Sequence, residues 1–169
     1  MKRIVLISAL VLLVVVSAGC GKKRLVLKPG VIKNIAVLTL DGNLPGQTKD
    51  QKRELDIVMR WMDRDIIKNF KRAGFNSVLI KSRKQYKGSM GNLLIVKVRK
   101  FNAGNRAARV FVGFGAGAAS LDLSYKLLNE RGAKLKVWED GVGSSYGGTY
   151  CAQTLNRRAI NTVVETLNK

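Results

Sequence analysis

The stretch from residue 102 to residue 123 reads Asn-Ala-Gly-Asn-Arg-Ala-Ala-Arg-Val-Phe-Val-Gly-Phe-Gly-Ala-Gly-Ala-Ala-Ser-Leu-Asp-Leu. How it is read decides the fold. Gly113-Phe114-Gly115-Ala116-Gly117-Ala118 satisfies G-x-G-x-x-A, the pattern of a dinucleotide-binding loop. That loop needs a strand before it and a helix after it, so that the helix amino terminus meets the pyrophosphate. Here the following residues alternate with period two: Leu121, Leu123, Tyr125 and Leu127 against Asp122, Ser124 and Lys126. Period two is the signature of a half-buried strand. The stretch therefore joins two strands, and no nucleotide or other cofactor is expected. Glycine supplies unusual backbone angles and close approach, so a bulged strand or tight turn packed on the domain is the preferred reading. A flexible, sticky flap around Phe111 and Phe114 that takes a partner is the alternative.

Strand and helix signals extend in both directions from it. Upstream, Asn92–Phe101 alternates Leu94, Val96 and Val98 against Lys97 and Arg99, and Phe75–Lys81 reads as another strand. Ser82–Gly91 between them is a basic, glycine-containing loop. Thr48-Lys-Asp-Gln51 fits a capping box, and a helix to about Ala73 is expected. Its core face is Leu55, Val58, Met59, Met62, Ile66 and Phe70, with Gly74 beyond its end. Val31–Leu40 reads as the first strand, followed by turn chemistry at Asp41-Gly42-Asn43 and Pro45-Gly46. Downstream, Asn129–Gly132 is a turn and Ala133–Glu139 its returning strand. Gly141–Gly148 is a glycine-rich loop, and a last helix runs from about Thr149 to Leu167 on a stripe of Leu155, Ala159, Val163 and Leu167. The order β-α-β-β-β-β-α predicts an α+β fold: a mainly antiparallel sheet with helices on one face, a two-layer sandwich.

The amino terminus reads as an address. Lys2 and Arg3 precede an apolar run of 13 residues, Ile4–Val16. That is the size of a signal-peptide core and too short to span a bilayer. Ser17-Ala18-Gly19-Cys20 then reads as a lipobox, although Ser17 stands where Leu is commoner. Residues 1–19 are expected to be removed and Cys20 acylated, which anchors the chain to a membrane through buried methylenes. Gly21, where an Asp would favour the inner membrane, points to a periplasm-facing place on the outer membrane. Residues 21–30 form a short basic tether, and residues 31–169 one domain. With Cys20 lipidated, Cys151 stands alone, and a buried thiol is expected.

The whole chain carries 31 Lys and Arg against 11 acids. Between Ile66 and Leu121 there are 12 Lys or Arg and no acid. Such a field attracts phosphate groups. For a chain outside the cytoplasm, nucleic acid is not the expected partner. Anionic lipid, lipopolysaccharide or acidic cell-wall polymer comes first, with an envelope protein as the other partner class and a plain solvated face as the bland reading. Lys81, Arg83, Lys84 and Lys87 on the basic loop, and Arg106 and Arg109 in the glycine stretch, are the candidate contacts. For the two arginines, hydrogen bonds to nearby carbonyls or carboxylates are the simpler reading.

The chain has no histidine. That removes Ser-His-Asp and Cys-His mechanisms and most zinc sites. Asp63 and Asp65, two apart on a helix, point in different directions and read as surface charges. Glu139 and Asp140, adjacent on a strand, point to opposite faces. No catalytic residue and no metal ligand is assigned, and a binding role is expected in place of an enzyme; the rival is chemistry carried by Lys, Tyr or carboxylate.

Gly104-Asn-Arg-Ala-Ala-Arg109, then Gly113-Phe-Gly-Ala-Gly117, the strand Ser120–Leu128 and the turn at Gly132 together resemble the bacterial lipoprotein family catalogued as domain of unknown function 4410. The resemblance covers roughly Val31–Lys169. It implies an envelope lipoprotein with no established activity, and it carries no catalytic residues over.

Overall fold

The computed structural model describes residues 27–104 and 117–169. Five strands and two long helices follow one another as β1 (Asn34–Leu40), α1 (Lys49–Arg72), β2 (Asn76–Ile80), β3 (Asn92–Asn102), β4 (Ala119–Leu128), β5 (Lys134–Ser144) and α2 (Gly148–Leu167). They form one sheet in the order β2-β1-β3-β4-β5. The α+β two-layer reading holds. Strands β3, β4 and β5 form an antiparallel meander that supplies the longest pairings. Strand β1 is parallel to both neighbours, a detail that strand count alone does not reveal. It arises because α1 returns the chain for a parallel β2, and residues 81–91 then carry it across β1 to β3.

Helix α1 starts where its capping box predicts. Thr48 Oγ1 accepts from the Gln51 amide, and the Gln51 side chain accepts from the Thr48 amide. Gly74 follows its end at φ +93°, a conformation that costs glycine little. Leu55, Val58, Met62, Ile66 and Phe70 are buried, with Met59 packed at the margin. Helix α2 buries a wider face than its predicted stripe, adding Cys151, Ala152, Asn156, Ile160 and Val164. It lies beside α1 on the same face of the sheet and packs on β4 and β5, so two of its sides are covered. The main core lies between both helices and Ile35, Val37, Leu94, Val96, Val98, Leu121, Leu123, Tyr125 and Leu127.

Two expectations shift. The first strand begins at Asn34, and the return strand continues to Ser144, taking in Gly141 and Gly143. Gly141 belongs there because a Cβ would collide with the Asp122 carboxylate on β4. The sheet also has a second, smaller core on its other face: Ala36, Leu38, Ile80, Leu93 and Leu128, covered by Tyr86 and Met90. Helix periodicity could not show it, because the cover is a loop.

Candidate functional site

The Ser82–Gly91 loop is an anchored crossover. Two single turns of 3-10 helix, Arg83–Gln85 and Gly88–Met90, shape it. The Gln85 side chain accepts from the Lys81 amide. The Tyr86 hydroxyl donates toward the carbonyl oxygens of Gly91 and Asn129, tying the loop to β3 and to the β4–β5 turn. Gly91, at φ +75°, packs so closely on β1 that a Cβ would strike the Asn34 carbonyl oxygen. Burial pushes the Tyr86 phenol above its usual range, with Arg83 opposing and Glu130 adding to the shift; it stays a neutral donor.

The crossover brings Lys81, Arg83, Lys84 and Lys87 into one exposed region. They are not equivalent. Lys81 Nζ lies 3.8 Å from Asp63, which also accepts from Thr39 Oγ1. The Arg83 guanidinium stands 4.6 Å over the Tyr86 ring. Lys84 and Lys87 project into solvent with no ion-pair partner among the described residues. Tertiary structure supplies acids to part of the segment that has none in sequence: Asp63 to Lys81, Glu139 to Arg99 at 3.8 Å, and Asp122 beside Lys100 across the ladder.

Asp63 and Asp65 diverge as helix geometry requires, but neither is a free surface charge. Asp63 faces β1 and Lys81. Asp65 accepts from Asn69 and from Asn156 of α2, which also donates to the Met62 carbonyl. Glu139 and Asp140 separate across the sheet: Glu139 meets Arg99, and Asp140 accepts from Arg158 of α2 at 3.0 Å. Cys151 is buried; its Sγ sits 3.7 Å from the Ala119 carbonyl oxygen, and burial raises its pKa.

A second concavity was not anticipated. Trp61, Tyr146, Thr149, Tyr150 and Gln153 line a cleft of about 510 Å³ between the two helices. Tyr146 is 80% exposed, and its ring centroid lies 5.2 Å from that of Tyr150. The signal in sequence was two tyrosines flanking Gly147-Gly148 at a helix start, which glycine content alone masked. Gly148 allows α2 to begin tight against Val58 and Phe101, where a Cβ would crowd both.

Arg106, Arg109, Gly113, Phe114 and Gly115, like Cys20, lie outside the described residues. Gly117 lies within them. It has φ +68° and approaches Gly104 at φ +73°, where a Cβ would meet the Gly117 carbonyl oxygen. Between the two glycines runs the connection from β3 to β4.

The chain is similar to the PelC dodecamer of Paraburkholderia phytofirmans, with 12% identity over 80% of this chain and 87% of that one and a TM-score of 0.45. A point variant of that protein gives 10% identity over 84% and 92%, also at 0.45. It is also similar to a neuraminyllactose-binding hemagglutinin homolog from Helicobacter pylori, with 8% identity over 88% and 91% and a TM-score of 0.37. No curated protein matches the chain. A family model described as a domain of unknown function, DUF4410, matches residues 25–148, most of the chain, which therefore belongs to that family.

Proposed function

We propose that the protein is a lipid-anchored, periplasm-facing protein of the outer membrane. It acts by binding, without turnover, and the 81–91 crossover is its contact for anionic envelope material. The lipobox at Ser17–Cys20 supports the anchor. The sequence suggests a tether over residues 21–30, but Leu27 is already packed in the core and Lys28 bonds Asn168. The length left after Cys20 is therefore residues 21–26, which reach at most about 20 Å and keep the domain close to a phosphate-rich surface.

The observation that carries the binding reading is how the acids are distributed. They neutralise Lys81, Arg99 and Arg158, and leave Lys84 and Lys87 on an anchored loop without a counter-charge among the described residues. An anchored loop loses little conformational entropy when it meets a ligand. Each cation near an anionic surface contributes about 1 kcal/mol. Such contacts weaken with salt, because exposed charges are screened within about 8 Å at physiological ionic strength.

The test uses the full chain with Cys20→Ser, so that acylation does not mask the effect. Co-sedimentation is measured with phosphatidylglycerol vesicles, with lipopolysaccharide and with neutral phosphatidylcholine vesicles, at low and high salt. Binding to the anionic surfaces alone is expected. Lys84→Glu combined with Lys87→Glu weakens it by about ten-fold or more and leaves the unfolding transition in place. Equal binding to neutral vesicles, or an unchanged double variant, overturns the assignment. Turnover of an ester, glycan or phosphate substrate, lost on one non-unfolding substitution, overturns the non-enzymatic reading.

A second reading rests on Tyr146. A large aromatic held 80% exposed beside Tyr150 and Trp61 suits the anchor position of a protein interface. Loss of a membrane-crosslinked partner in Tyr146→Ala, with Lys84→Glu and Lys87→Glu neutral, would favour this cleft over the crossover.

A further inference from the structure

Strand β5 is an edge of the sheet and runs for 11 residues. Its outer row of backbone amides and carbonyls has no strand partner among the described residues. Such an edge is a template for a further strand. Natural edges are commonly guarded by charge, and β5 is charged, but its charges are ordered: Lys134 and Lys136 in the first half, Glu139 and Asp140 in the second. Against an arbitrary strand these charges repel or go unpaired. Against an antiparallel copy of itself, base meets acid. We propose that a second copy of this chain docks on β5, by antiparallel β5–β5 pairing about a two-fold axis at Trp138.

The register follows from geometry. A two-fold axis perpendicular to a continuous sheet pairs residues whose numbers sum to twice that of the residue on the axis. The bulge at Leu135, where the β4–β5 register shifts, ends regular pairing at Lys136. With Trp138 on the axis, Lys136 lies opposite Asp140 of the second copy, and Val137 opposite Glu139, each pair occurring twice. Lys136 and Asp140 share the helix-bearing face, because they pair with Leu127 and Leu123. Val137 and Glu139 share the other face. Val137, 52% exposed in one copy, is covered by the stem of the glutamate opposite. An axis at Glu139 or Asp140 would set like charges against each other, which disfavours pairing.

Helix α2 supports the same axis independently. It packs on both β4 and β5, so it lies over the β5 edge of the sheet. Extending the sheet across β5 by one strand spacing, about 4.8 Å, therefore sets the α2 helices of the two copies side by side on the same face. Their register agrees. Arg158 sits beside Asp140, and α2 runs antiparallel to β5. Trp138, about 6.6 Å further along the strand, then lies level with a point about four helical residues on, near Thr162. Arg158 and Glu165, seven residues apart and so on one face of α2, straddle that point. Arg158 of each copy therefore approaches Glu165 of the other. Strand and helix are self-complementary about one axis. A two-fold pair occupies the Lys136–Asp140 segment of both β5 edges and leaves it open to no third chain, so β5–β5 pairing stops at two.

The test uses the full chain in detergent, by sedimentation velocity across a wide concentration range, and rests on no part of the anion-binding assignment. A monomer–dimer equilibrium is expected. Lys136→Glu places two acids opposite each other twice and raises the dimer dissociation constant by about ten-fold or more, with thermal unfolding extrapolated to the monomer unchanged. The double variant Val137→Cys with Glu139→Cys brings each cysteine opposite a partner at a Cα separation of about 4.5–5.5 Å, within disulfide range. It should oxidise to a covalent dimer, while either single variant crosslinks no more than the parent, whose own cysteines set the background. A monomer at every concentration, an assembly larger than two, a dimer indifferent to Lys136→Glu, or equal crosslinking by the single variants would overturn the proposal.

Discussion

Tyr125→Phe should make the protein more stable, and increasingly so at alkaline pH. Tyr125 is among the largest fully buried side chains, with its ring stacked on Trp138 at 4.8 Å between centroids and 9° between planes. Its hydroxyl has no hydrogen-bond partner among the described residues. A buried hydroxyl without a partner costs about 1–3 kcal/mol by mutational measures. Phenylalanine keeps the ring and its stacking and removes only the oxygen. The expected gain is about 1 kcal/mol at neutral pH, or about 2–4 °C in melting temperature for a domain of this size. The pH dependence has a definite sign. Burial, reinforced by Asp140 and opposed by Arg158, raises the folded phenol far above its ordinary value. The unfolded phenol ionises near pH 10, so above that the native state holds the extra proton and stability falls. This one group contributes a loss of about 1.4 kcal/mol per pH unit. Urea unfolding of parent and variant, at one protein concentration and from neutral to strongly alkaline pH, measures both effects; other titrating groups cancel in the difference. A variant less stable than the parent at neutral pH, or a gap that does not widen above about pH 10, refutes the reasoning.

Four further outcomes are expected. Thr48→Ala removes the side-chain acceptor for the Gln51 amide and should lower stability by about 1 kcal/mol in thermal unfolding. Gly91→Ala and Gly46→Ala both place a side chain at positive φ, but a Cβ at Gly46 meets open space and one at Gly91 meets the Asn34 carbonyl. Gly46→Ala should therefore cost about 1 kcal/mol and Gly91→Ala clearly more. Cys151, buried with its pKa raised by burial, should resist thiol reagents in the native state and react on unfolding. Cys20→Ser should abolish palmitate labelling and release the chain from membranes; unchanged labelling would sink the lipid anchor.

Local physics written in adjacent residues was legible in sequence. The Thr48–Gln51 box, the apolar stripe of α1, Gly74 beyond its end and the alternation of β3 and β4 all appear where chain-neighbour rules place them. So does the strand expected after the glycine stretch: Gly117 leads into β4, which begins at Ala119. These features depend on spacings of two, three and four residues, which sequence records directly. What sequence could not record is which elements meet. The parallel placement of β1, the loop-covered second core beneath Tyr86 and Met90, and the meeting of Trp61 with Tyr150 all join residues far apart in the chain. Charge shows the same division. Net charge and the acid-free run from Ile66 to Leu121 are properties of composition. That Asp63 reaches Lys81 and Glu139 reaches Arg99, while Lys84 and Lys87 are left to solvent, was decided only by folding, because Coulomb attraction depends on distance in space and not on separation along the chain.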